Sequence, residues 1–404
     1  MGSTPLTSVD TALAHLLERA RPVSEAESAT LGNALGRVLA EDLPVRQDVP
    51  HADNSAVDGY AVSCQDLANS RRLPVSDRIP AGQAPKPLQP GTAARIFTGA
   101  NIPAGADAVI MQENTSTEEG AVIVQDTPTS GQNIRRRGQD LSAGSIALAR
   151  GQRLRPQELG LIASLGLAQA PVWRRLRVAV LTSGDELAEP GQPLQPGQIY
   201  NTNRFTLEAL LQQLDCELVA SHTVLDSREA TLAALKRSAG EADLVITSGG
   251  VSVGEEDHIR AVLEDAGELS LWRLASKPGK PLAFGSIDGT PVLGLPGNPA
   301  AVLVTSLILC APFIRHCQGN TRSALLPTQL PSGFRIDKAS IRREFMRARL
   351  ETRNGTTVVV AHPNQSSGIL SSACWADGLA VIPEHSTLEP GEAVGFYSFA
   401  DLTG

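Results

Sequence analysis

The stretch "ADLVITSGGVSVGEEDHIRAVLEDAG", residues 242–267, decides the fold. Its apolar run from Leu244 to Ile246 suits a buried strand, and Gly249 and Gly250 turn the chain sharply at its end. Past the turn, Ile259, Val262 and Leu263 recur at helical spacing. The same unit repeats outward. "RVAVLTSG" (177–184), "CELVASHTVLD" (216–226) and "TPVLGLPG" (290–297) read as strands, while "TNRFTLEALLQQLD" (202–215) and "REATLAALKRSA" (228–239) read as helices. Such alternation over residues 177–319 predicts a doubly wound, mostly parallel α/β sheet with helices on both faces. Ligands of such sheets sit beyond the carboxyl ends of the strands.

The flanks differ. "SVDTALAHLLERA" (8–20) and "SEAESATLGNALGRVLAEDL" (24–43) are expected to be helices, as is "RPQELGLIASLGLAQ" (155–169). Between them "AARIFTGA", "DAVIMQE" and "AVIVQD" predict short strands. After residue 326, "RARLETRNGTTVVVAH" predicts a hairpin turning at Asn354-Gly355, and "GLAVIPEH" and "AVGFYSF" add strands to a small, closed or nearly closed β domain.

At 42% hydrophobic and 19% charged, the 404 residues can bury a sizeable core. A net charge of -8 argues against nucleic acid and anionic membranes, and 3% aromatics against base-stacking platforms. The run "AAVLVTSLILCAPFI" (300–314) is short for a bilayer and reads as a buried helix. "MGSTPLTSVD" has no apolar signal core, and five scattered cysteines form no metal or CxxC spacing. Both point to the cytoplasm as the expected location.

Every strand end is loaded. Gly249 and Gly250, with Ser248 before them, can expose backbone N–H groups to phosphate; a tight turn with an acidic helix cap remains an equal reading. Glu186, Asp226 and Asp257 follow three different strands and are expected to share one crevice. Unpaired carboxylates there would repel, and a divalent cation, Mg²⁺, which shares oxygen ligands with phosphates, removes the conflict. "SKPGKP" fixes Lys277 and Lys280 on a stiff turn suited to an oxyanion, and "GLPGNP" frames a helix start with Pro296 and Pro299. "NIRRRGQD" (133–140) reads mainly as a solvated or salt-bridged face.

In order, "NSAVDGYA", "IFTGANIPAGADAVIMQE", "NIRRRGQD", "TSGDEL", "GQIYNTN", "TSGGVSVGEEDH", "KPGKP" and "GLPGNP" resemble the molybdopterin molybdenumtransferases of the MoeA type, which are similar to the gephyrin E domain. The resemblance spans residue 8 to the C-terminus. It implies Mg²⁺-dependent insertion of molybdate into adenylylated molybdopterin, releasing AMP and molybdenum cofactor. It also implies a homodimer whose second subunit helps close the active site, and transient contacts with the molybdopterin adenylyltransferase and apo-molybdoenzymes. The implied multidomain architecture has an elongated N-terminal domain (1–47 and 141–173) and an inserted β-rich domain (48–140). An α/β molybdopterin-binding domain (174–326) and a small C-terminal β-barrel (327–404) follow. Asp58, Thr98 and Asp140 fall on family positions in the N-terminal half. Glu186, Asp226 and Asp257 match the acidic, metal-placing positions, and Asp58, Asp140 and these three form the catalytic set. Lys277, Lys280, Pro296 and Pro299 match the basic and Pro-rich loops, and Arg347 and Ser371 resemble residues that approach the oxyanion. Val57 stands where the family often has Met, a packing change.

Two alternatives differ in class. The related adenylyltransferase would catalyse the preceding step, but its loop usually opens GGTG, where this chain has "SGGVSVGEED". A non-catalytic pterin-binding scaffold would need no acids, and no added linker or tail supports it.

Overall fold

A computed structural model describes residues 6–251, 258–321 and 326–404. The contacts gather into two compact units. One comprises Met1–Ala40, Gly151–Arg155 and Pro171–Gly404; the other comprises Glu41–Arg150 and Pro156–Ala170. The α/β and C-terminal β segments therefore share a unit, and the predicted inserted β segment lies in the other.

The first unit holds the predicted sheet. Its order is Glu217–Val224, Arg177–Ser183, Leu244–Ser248, Thr290–Leu295, Ala283–Ile287 and Glu268–Trp272. The first four are parallel and the last two antiparallel. Alternation along Arg177–Ser183 explains the double winding. Val178 and Val180 pack with Leu207, Leu211 and Val302, while Ala179 and Leu181 point the other way, toward Leu235, Ile259 and Leu263. Each fully buried aliphatic side chain contributes roughly 1.5–3 kcal/mol. The helix Thr202–Gln213 starts where Asn201 accepts from the Arg204 N–H (3.2 Å), and Arg228–Glu241 where Ser227 accepts from Ala230 N–H (3.3 Å). The apolar helix Pro299–Cys317 is long enough to cross a membrane, but 89% of its most apolar stretch is buried in the protein, as expected of a core helix. Its middle, Ser306–Cys310, is a π turn.

One expectation fails. Val9–Arg19 is helical, capped by Ser8, but residues 24–43 are not one helix. Ala26–Thr30 is a strand, and only a short 3₁₀ turn, Leu31–Asn33, follows. Gly36 takes φ +82°, which ends helical winding. Beyond it the backbone pairs elsewhere: Gly36 N–H donates to Leu154 O (2.8 Å), Leu39 N–H to Gln152 O (3.0 Å) and Ala40 N–H to Pro171 O (3.0 Å). Long-range pairing thus outweighs a local pattern of apolar residues.

The C-terminal sheet runs Ser276–Lys277, Arg343–Arg353, Gly378–Ile382, Ala393–Ser398 and Thr328–Pro331, with Thr356–Ala361 also on Arg343–Arg353. The hairpin turns at Asn354-Gly355 as predicted. A parallel bridge from Ser332 to Val359, with Gly333 N–H donating to Val359 O (2.7 Å), brings the sheet back on itself.

In the second unit the three predicted short strands are Ala93–Ile96, Ala108–Met111 and Ala121–Val124, in a six-stranded sheet among the described residues. Pro156–Ser164 is the predicted helix.

Candidate functional site

The loops after the parallel strands of the first unit converge on a cleft of about 790 Å³. Glu186 and Asp226, Ser248, Gly249 and Gly250, Lys277 and Lys280, and Pro296 and Pro299 all line it. Seven of these nine predicted residues follow strands of the α/β sheet, while Lys277 and Lys280 come from a turn anchored on the C-terminal sheet. Asp257 lies outside the described residues.

Gly249 has φ +92°, and a Cβ there would stand 2.6 Å from Ser183 O, so only glycine lets these two strand ends touch. Ser248 is buried; its hydroxyl donates to Pro296 O (3.1 Å) and accepts from Asn203 Nδ2 (2.9 Å). Asn203 Nδ2 also donates to Gly297 O (2.7 Å), while its buried Oδ1 has no partner among the described residues. One amide therefore ties three strand-end loops and leaves an acceptor unused, a role that "GQIYNTN" hid in sequence.

On the acidic side, Asp226 Oδ1 accepts from Ser183 Oγ (2.9 Å), and Asp226 N–H donates to Asp185 Oδ1 (3.1 Å). The loop is thus held from two directions. Among the described residues no ion pair engages Glu186 or Asp226, and no group of three potential ligands could hold a metal ion. Two free carboxylates still suit Mg²⁺, which takes one or two of them and fills its shell with water and phosphate oxygens.

On the basic side, Lys277 Nζ lies 3.0 and 3.1 Å from the two carboxylate oxygens of Glu344. Arg347 is 1% exposed, and no carboxylate faces it among the described residues. Its Nε donates to Ser372 Oγ (2.9 Å) and one terminal nitrogen to Ser366 O (2.9 Å), while the other terminal nitrogen has no partner among the described residues. Burial pushes the Arg347 guanidinium pKa down. Ser366 and Gln365, which clamps the Arg347 backbone, both line the cleft. Ser371 is exposed at the start of the short helix Ser371–Trp375, and the hydroxyl on the guanidinium belongs to its neighbour, Ser372.

Asp58, Thr98 and Asp140 lie in the second unit. Asp58 accepts from both the Thr98 N–H (2.8 Å) and its hydroxyl (2.7 Å), and these bonds, with the charge of Arg95, hold its carboxyl below the usual range. Asp140 is exposed; its N–H donates to Val49 O (3.0 Å). In "NIRRRGQD", Arg136 pairs with Asp53 and Arg137 with Asp48, each at 2.6 Å, which is the salt-bridged face expected.

Comparisons with known proteins agree along the chain. The MoeA N-terminal region (domain I and II) matches residues 7–166, a probable molybdopterin binding domain residues 179–316, and the MoeA C-terminal region (domain IV) residues 329–399. The chain is 40% identical over 404 residues to a molybdopterin molybdenumtransferase of Haemophilus influenzae, covering 99% of this chain and 100% of that one. It is 39% identical over 392 residues to molybdopterin molybdenumtransferase 2 of Mycobacterium tuberculosis, covering 92% and 93%. A solved molybdopterin biosynthesis MoeA protein from Pyrococcus horikoshii is similar in fold, with a TM-score of 0.82 at 29% identity over 97% of this chain and 100% of that one. With full-length relatives and all three regions in register, the chain belongs to the molybdopterin molybdenumtransferase family of the MoeA type.

Proposed function

We propose that this chain inserts molybdenum from molybdate into adenylylated molybdopterin, in an Mg²⁺-dependent reaction that yields molybdenum cofactor and AMP. One observation carries the reading: a single cleft has a carboxylate wall, Glu186 and Asp226, and a basic wall, Lys280 beside the Glu344-paired Lys277, with Arg347, which no carboxylate faces among the described residues, behind its lining. An anionic pterin phosphate and an oxyanion need both. Glu186 and Asp226 would hold Mg²⁺, with Asp257 assigned to the same role from sequence alone; bound there, the ion neutralises phosphate charge. Of the expected phosphate cradle, the Ser248 hydroxyl is committed to Pro296 O and the Gly249 N–H to Leu295 O, so Ser248 and Gly249 shape the turn and Gly250 is the residue that offers its backbone to the phosphates. Lys280 and Arg347 attract the molybdate dianion, and Ser372 fixes the guanidinium plane. The enzyme acts as a cytoplasmic homodimer in this proposal, and hands product on through transient contacts with apo-molybdoenzymes.

The test supplies purified protein with adenylylated molybdopterin, molybdate and Mg²⁺, and follows AMP. Molybdate-dependent AMP release, lost in Asp226→Asn, is expected. Adenylylation of free molybdopterin by ATP instead would assign the preceding step, and pterin binding without turnover would leave a scaffold.

A further inference from the structure

Two consecutive arginines, Arg342 just before the strand Arg343–Arg353 and Arg343 at its start, are treated in opposite ways. Arg343 is saturated: its terminal nitrogens lie 2.7 Å from each oxygen of Asp10, and its Nε lies 3.2 Å from Glu384. Arg342 lines the cleft beside Lys277 and Lys280, and no carboxylate pairs with it among the described residues. Its N–H is fixed by Ser340 Oγ (3.1 Å), and its guanidinium makes one long approach, 3.5 Å, to Ser276 O. A guanidinium carries five N–H donors, so most of this fork is unused.

Lys277, which the sequence assigned to the oxyanion, is in the reverse situation. Both oxygens of Glu344 hold its ammonium, and Glu344 is only 13% exposed. Side-chain rotation does not create this pairing: Ser276–Lys277 runs parallel to Arg343–Arg353 with Lys277 opposite Glu344. Any anion reaching Lys277 must therefore compete with a carboxylate built into the sheet.

We propose that Arg342 is the specificity-determining cation of this cleft: its planar fork grips a tetrahedral oxyanion, while Glu344 keeps Lys277 neutralised. The proposal rests on the reading that the cleft takes an oxyanion. That chemistry is shared by free molybdate and by the phosphoryl group of the nucleotide, so both are probes.

Calorimetric titration of the full chain with molybdate, and separately with AMP plus Mg²⁺, decides the matter. Arg342→Gln is expected to weaken the gripped anion by about tenfold or more, Arg342→Lys to recover part of the loss, and Glu344→Gln to strengthen binding by freeing Lys277. Loss confined to molybdate or to AMP supports the grip and says which anion it holds. In turnover, Arg342→Gln should raise the KM of that substrate more than it lowers kcat, whereas a merely structural role would lower kcat and the thermal midpoint together. Equal affinities of wild type and Arg342→Gln for both anions would overturn the proposal. If wild type binds neither anion, the reading of the cleft itself fails.

Discussion

Replacing Arg347 by Met separates stability from function. The side chain is 1% exposed, with two hydrogen bonds, one unpartnered nitrogen and no facing carboxylate among the described residues. Losing two hydrogen bonds from a charged donor costs about 1.5–3 kcal/mol each. Removing an uncompensated buried charge returns several kcal/mol, and buried ionic groups replaced by apolar residues of like volume are often neutral or stabilising. Ser372 Oγ is not orphaned, since it also donates to Ile369 O (2.6 Å). The terms nearly cancel, so Arg347→Met should leave unfolding stability within about 2 kcal/mol of wild type. Function should not survive: a guanidinium on an oxyanion in a dry site is worth about 3 kcal/mol, or roughly a hundredfold in rate. The assay pairs urea unfolding with molybdate-dependent AMP release at saturating pterin. A variant that unfolds more than about 4 kcal/mol earlier while the folded fraction turns over normally would refute the reasoning, because Arg347 would then be a structural residue.

Two further predictions are simpler. Ser372→Ala should lower oxyanion affinity by about tenfold, the share of one charge-assisted hydrogen bond, while Ser371→Ala leaves it unchanged, both read by molybdate titration. Asp243 is desolvated, yet Arg174 (2.6 and 2.9 Å) and the Arg177 N–H (2.8 Å) hold its carboxyl below the ordinary value. A depressed carboxylate stabilises the fold above its unfolded pKa, about 3.9, and that stabilisation is lost as pH falls through the folded value. Asp243→Asn should therefore cost about 3 kcal/mol in urea unfolding at pH 7, with the gap closing progressively below about pH 4.

The α/β unit was legible because its strands and helices are short, regular and separated by Gly and Pro. Residues 24–43 were misread for a tertiary reason: their apolar spacing suits a helix, but Gly36 and the partners at Gln152, Leu154 and Pro171 are invisible to a local window. The acids and glycines of the cleft were legible since each ends its own strand. The sequence pointed to Ser371, whereas the hydroxyl that meets Arg347 is that of Ser372, because a five-residue helix gives too little pattern to phase. The pairing of Glu344 with Lys277 was not legible because it depends on a strand register that joins residues 67 apart, and the place of Arg342 in the cleft depends on the same register.

That register also explains where the chemistry sits. By chain order the turn at 276–281 belongs to the α/β segment, yet Ser276–Lys277 is a strand of the C-terminal sheet. Arg343 N–H donates to Ala275 O (3.0 Å), which extends the same ladder. Lys277 and Glu344 are therefore set by that pairing, with Arg342 just before the strand and Arg347 farther along it, and Glu186 and Asp226 by the ends of another sheet. Opposite charges that were free to collapse would form a salt bridge and close the cleft. Here Glu186 and Asp226 stand on one sheet and Lys277 on another, each backbone fixed by main-chain hydrogen bonds; Lys277 pairs with Glu344 of its own sheet, and among the described residues neither Glu186 nor Asp226 pairs with a cation across the cleft, which is the arrangement the proposed ligands require.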